Sequence, residues 1–158
     1  MRPKKKPAAK KPKRSPLLRS AVEVLEHGLW HFSRSDTATD LKFALMHVDQ
    51  AIELVMKERV RAGGRSIYKA KNSKETLNIY GLYDVLGELG CAIPERADLE
   101  LLHEERNAIQ HKYLNPNPED ASFHLSKGLK FLSRFLKDEL GEDIYEYAPA
   151  DVLDDLLS

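Results

Sequence analysis

A single cysteine, Cys91, in 158 residues excludes an internal disulfide and a cysteine-built zinc site. A reducing, cytoplasmic setting is therefore the default expectation. No run approaches the roughly 18 apolar residues of a membrane helix, so no membrane association is expected. The basic N-terminus has no apolar segment behind it, which argues against a secretory signal. No strand-like alternation of apolar and polar residues appears, and no internal repeat. Charge of one sign is missing at each end. Residues 1–14 hold no acid and eight Lys or Arg, whereas residues 138–158 hold no base and eight Asp or Glu. The formal net charge of +0 is thus an average over two opposed ends.

What is present suits one globular domain: 42% of residues are hydrophobic and 32% charged, too apolar for a disordered chain. Residues 1–14, rich in Lys and Pro, are expected to form a disordered basic arm, either attracted to nucleic acid or merely solubilising. Ser15 and Pro16 are N-cap and first-turn residues for a helix over 16–33. A second helix is expected over 38–61 on Leu41, Leu45, Val48, Ile52 and Val55, ending at Gly63-Gly64. A third is expected over about 75–89, and a fourth from after Pro94 to about 113. Asn115-Pro116-Asn117-Pro118 breaks the chain and caps a fifth helix running to about 140. The spacing thus predicts an all-α, up-and-down bundle of about five helices over 15–141. An acidic segment over 142–158 is expected to carry a short C-terminal helix.

The fourth helix holds the unusual residues. Its apolar stripe Leu99, Leu102, Ile109 extends, at spacings of three and four, through Arg106 and Tyr113. A charge on an inward stripe must be paired or face a cleft, because unpaired burial is expensive. Glu53, four residues before Lys57 on the second helix, is the expected partner of Arg106. Asn107 and His111 stack one turn apart on a neighbouring face. Such groups suit phosphate chemistry. Arg offers a fork of donors to phosphate oxygens, and imidazole moves protons near neutrality. The same residues suit a structural Glu–Arg pair beside a helix-terminal histidine, and residue types alone leave both readings open.

Arg106-Asn107-Ala108-Ile109-Gln110-His111 resembles the signature of the HEPN superfamily, in which an Arg followed by a polar residue precedes a His by four to six positions. Residues 45–58, LMHVDQAIELVMKE, resemble that family's second-helix pattern, and the likeness covers about 17–140. The resemblance implies a homodimer with both motifs in one cleft, acting as a metal-independent endoribonuclease, often a toxin or defence effector. The 2′-hydroxyl would attack the adjacent phosphate. His111 would handle the proton, Arg106 would stabilise the phosphorane-like charge, Asn107 would orient, and Glu53 and Lys57 would support. Tyr113 completes an Arg-x4-His-x-Tyr pattern. In superfamily toxins paired with a minimal nucleotidyltransferase antitoxin, that tyrosine receives AMP. The alternative is a non-catalytic, nucleotide- or protein-binding module of the same fold.

Lys69, Lys71 and Lys74 form a basic loop that is either an RNA-backbone contact or a solvated loop. His27 and His31 are four apart and His47 lies on the next helix. Without an acid of known geometry beside them they read as helix-surface histidines, and no metal or cofactor is expected. Cys91 reads as a small buried residue, not a nucleophile. Trp30, Tyr80 and Tyr83 read as core or dimer surface.

Overall fold

The computed structural model describes residues 14–34 and 37–158. The expected basic arm lies outside the described residues, apart from Arg14. Six helices follow one another: α1 (Pro16–Arg34), α2 (Ala38–Ala62), α3 (Ile79–Glu88), α4 (Arg96–Lys112), α5 (Pro118–Leu140) and α6 (Ala150–Leu157). A 3-10 turn, Ile144–Glu146, precedes α6. Among the described residues there is no strand, only an isolated bridge between Tyr68 and Thr76. No described helix is long and apolar enough to cross a membrane.

Side chains placed at the helix ends fix the boundaries. Ser15 Oγ accepts from the Leu18 N–H at 3.1 Å, and Thr37 Oγ1 from the Asp40 N–H at 3.2 Å. Asn117 Oδ1 takes the N–H groups of Glu119 and Asp120, with Pro118 in the first turn. The third helix starts four residues later than expected. Ser73 Oγ accepts from the Glu75 N–H, Thr76 bridges to Tyr68, and Asn78 caps the Gly81 N–H at 2.9 Å. These local bonds hold 73–78 in a loop.

The core is organised around α2, which packs against α1, α3, α4 and α5. Its buried residues run from Leu41 to Val60 and include Ala44, Val48, Ile52 and Met56. Arg59 of α2 pairs with Glu139 of α5 at 2.9 Å, so these two C-terminal ends lie together. Glu95, at the start of α4, grips Arg134 near the end of α5, so α4 runs antiparallel to both. The acidic C-terminal segment is part of the bundle: Ile144, Tyr147, Leu153 and Leu156 are all buried in the core. Arg14 lies over the Tyr147 ring at 4.6 Å and pairs with Glu142 at 3.6 Å, tying the start of the described chain to this segment.

Gly128 of α5 sits where α2 and α4 meet. A Cβ there would lie 3.0 Å from Leu102, 3.1 Å from Val48 and 3.3 Å from Ile52. This contact sets how deeply α4, the helix carrying the polar motif, seats on α2. Gly128→Val is expected to lower stability by about 1–3 kcal/mol through overpacking in a urea melt. A variant as stable as the parent would show that the junction has room to spare.

Candidate functional site

The polar motif lies in the C-terminal half of α4, against the N-terminal half of α2. Its root is Asp49, only 5% exposed although flanked on α2 by Leu45, Val48 and Ile52. A buried carboxylate needs partners. His103 supplies the main one: its Nδ1–H donates to Asp49 Oδ2 at 3.0 Å. Arg106 Nε stands 3.8 Å from the same oxygen, an ionic approach and not a hydrogen bond. That bond to Asp49, more than the carboxylate's charge, holds the His103 proton above the ordinary 6.5, while burial and Arg106 oppose it.

Arg106 Nη1 donates to Asn107 Oδ1 at 3.0 Å. That bond fixes the Asn107 amide with its acceptor engaged and its NH2 donors free to turn outward. Asn107 and His111 line an open groove of about 590 Å³ together with Lys112 and, from α5, His124. Glu104 and Glu105 line its other end. Lys112 lies in the last turn of α4, where a cation complements the helix dipole.

Several expected placements change. Glu53 pairs with Lys57 at 2.9 Å and not with Arg106. The α2–α4 register sets residue 49, one turn earlier, at the level of 103–106. Arg106 lies outside the groove lining and reaches it only through Asn107, because five residues turn a helix by roughly 140°. Tyr113 is not on the inward stripe. The helix stops at Lys112, Tyr113 takes a left-handed conformation (φ 55°), and the side chain is 88% exposed. A non-glycine residue there carries backbone strain.

The basic loop is also separate. Lys57 Nζ donates to Thr76 Oγ1 at 3.1 Å, which ties the loop to the C-terminal half of α2. Eight residues of helix rise, about 12 Å, part that level from Asp49. Lys69 is paired with Glu75 at 3.0 Å, while Lys71 and Lys74 are exposed. The structure brings none of the three to the groove. Cys91 is buried, and burial, then Glu139, push its thiol up to about 11, which suits packing and not nucleophilic attack. Tyr83 is buried, whereas Trp30 and Tyr80 are about half exposed.

Sequence reasoning missed Asp49, His103 and His124. Asp49 was the readable signal, an acid amid the apolar stripe of the second helix. The expectation for His27, His31 and His47 also changes. They are not independent surface histidines: the His27 ring lies 4.7 Å from both His31 and His47, centroid to centroid. Burial first, then the charges of His27 and His31, pull the His47 imidazole below 6.5.

The result is an all-helical bundle with two polar sites, one on each side of α2. No protein-family model, curated protein or solved structure matches the chain.

The His103–Asp49 pair makes stability depend on pH. With its folded value raised, the protonated histidine contributes fully below 6.5, and the contribution fades as pH rises through the raised value. Thermal melts are expected to show the parent losing its margin over His103→Gln across that alkaline-going window. A margin independent of pH would refute the charged pair.

Proposed function

We propose that the chain is a HEPN-type endoribonuclease that cuts RNA through the RNA's own 2′-hydroxyl, acting in the cytoplasm as a toxin or defence effector. One observation carries the reading: an incompletely engaged guanidinium and an exposed imidazole share the end of one helix, and Asn107, bonded to the first, lines one groove with the second. Arg106 has five N–H donors and gives one to Asn107, with its side chain 30% exposed. The remaining donors suit phosphate oxygens in which charge is developing.

In the proposed reaction, the His111 imidazole takes the 2′-hydroxyl proton and O2′ bonds to phosphorus. Arg106, which adjoins the groove at Asn107, would have to swing its guanidinium toward the phosphate to stabilise the equatorial oxygens while the bond from phosphorus to O5′ breaks. The leaving O5′ takes a proton from a second imidazole, for which His124 in the same groove is the candidate. The products are a 2′,3′-cyclic phosphate and a free 5′-hydroxyl. These residues supply the proton transfers and charge stabilisation without a metal ion. Lys112 favours the phosphate at the Asn107–His111 end of the groove, away from Glu104 and Glu105.

A second copy of the chain would complete the cleft. Leu101 borders the groove, Phe123 packs beside His124, and Leu114 follows Tyr113; all three are exposed apolar side chains near the motif. The exposed Tyr113 hydroxyl is the proposed AMP acceptor. AMP there would set bulk and negative charge beside His111, as an antitoxin nucleotidyltransferase requires. Lys69, Lys71 and Lys74 would meet only a long RNA that runs along α2.

The approach of Arg106 to Asp49 favours a second reading, a binding module in which the arginine is architectural. Stability separates the two. As an architectural partner of a buried charge, Arg106 would cost about 3–5 kcal/mol on truncation. As a catalytic group in a partly exposed pair, its loss would cost about 1 kcal/mol or less.

Purified full-length chain is expected to cut RNA in the presence of a chelator and leave cyclic-phosphate ends. His111→Ala and Arg106→Ala should each reduce cleavage by about 100-fold or more while the helical signal stays intact. A parent protein, confirmed by mass to carry no AMP, that leaves every RNA class intact would refute the nuclease reading.

A further inference from the structure

We infer that His27, His31 and His47 form a binding site for one divalent transition-metal ion, joining α1 to α2. One ring nitrogen from each histidine lies within 4.8 Å of the other two. In a tetrahedral zinc site with Zn–N near 2.0–2.1 Å, ligand nitrogens stand about 3.3–3.4 Å apart. Turning the rings about χ2, a soft torsion, is the movement that would shorten these separations.

Three further features point to a ligand. His31 Nδ1–H donates to Asp40 Oδ1 at 3.1 Å. That bond assigns the proton to Nδ1 and leaves the Nε2 lone pair free, the carboxylate–histidine arrangement that orients metal-bound imidazoles. His47 Nε2 is buried and makes no hydrogen bond among the described residues. A desolvated ring nitrogen without a partner is costly, and a metal ion would satisfy it. Gly28 lets the two helices close on each other: a Cβ there would stand 2.9 Å from His47 Cβ. The two helices thus approach closely beside the cluster.

The donor set names the ion's class. Three imidazoles, with no carboxylate in the cluster among the described residues, suit zinc, cobalt, nickel or copper and disfavour magnesium and calcium, which take oxygen ligands. His27 is exposed, so a fourth position opens to solvent and would hold water. Trp30 and Phe43 flank the rings, with Phe43 5.0 Å from His31 and Trp30 5.9 Å from His27. They give the ion an apolar collar that limits exchange. Asp49, two residues from His47, faces α4, so the cluster is separate from the Arg106–His111 groove and does not rest on the nuclease reading.

The test is titration of the untagged full-length chain, stripped with chelator, against zinc(II) by calorimetry and cobalt(II) by visible absorption. One ion per chain is expected, with the intense ligand-field bands of tetrahedral cobalt and a zinc-dependent rise in melting temperature. His27→Ala, at an exposed position, should abolish the cobalt bands with the fold intact. Asp40→Asn should weaken zinc binding by roughly 10–100-fold. His111→Ala, in the separate groove, should bind as the parent does. The inference is overturned if the parent binds no zinc at one equivalent, or if His27→Ala and a His31→Ala/His47→Ala double variant bind zinc unchanged.

Discussion

The structure depends on the burial of the inward faces of α2. Of the 25 residues of this helix, which is packed by four neighbours, 12 are buried, and most of those are aliphatic for that reason. The few polar groups it carries inward must be answered, either by a neighbouring element or from within α2. Asp49 is answered by His103 and, at longer range, by Arg106. Glu53 answers Lys57 within the helix itself. The geometry of α4 is therefore set by two demands at once, the seating of Leu102 over Gly128 and the satisfaction of one carboxylate.

The same central helix keeps two kinds of chemistry apart. His47 looks toward α1 and Asp49 toward α4, two residues apart in sequence but on different sides of the cylinder. On one side an anion recruits cationic groups and arranges a guanidinium through its neighbours. On the other, imidazole rings gather with the Asp40 carboxylate behind them. A change in the position of α2 would be felt by both, so the two sites share a frame although they share no residue.

Much of the fold was legible because its punctuation is local. Asn117-Pro118, Ser15-Pro16 and the Gly63-Gly64 pair act through backbone groups a few residues away, and five helices ended close to where such signals fall. The start of α3 was misplaced because Ser73 and Asn78 offered the backbone other hydrogen bonds that periodicity does not register. The candidate site was legible in its residue types but not its pairings. Periodicity along one helix says nothing of the register against another, so the sequence offers Glu53 to Arg106 where the structure sets Asp49. The α4 stripe places Tyr113 inward only if the helix continues, and it stops one residue earlier, at Lys112. The histidine cluster was hidden for a similar reason: it needs the close helix crossing that Gly28 permits.

The burial of Leu153 and Leu156 has a consequence for how the molecule comes into being. During synthesis α1 through α5 emerge first, and the flank that α6 covers stays greasy and uncovered until residues 150–157 have cleared the ribosome. For that interval the nascent bundle presents an adhesive face. The acidic side chains that accompany α6, Asp151, Asp154 and Asp155, then arrive with the cover and turn that flank into a charged, water-loving surface. Closure and solubilisation are thus one event, completed by the same eight residues.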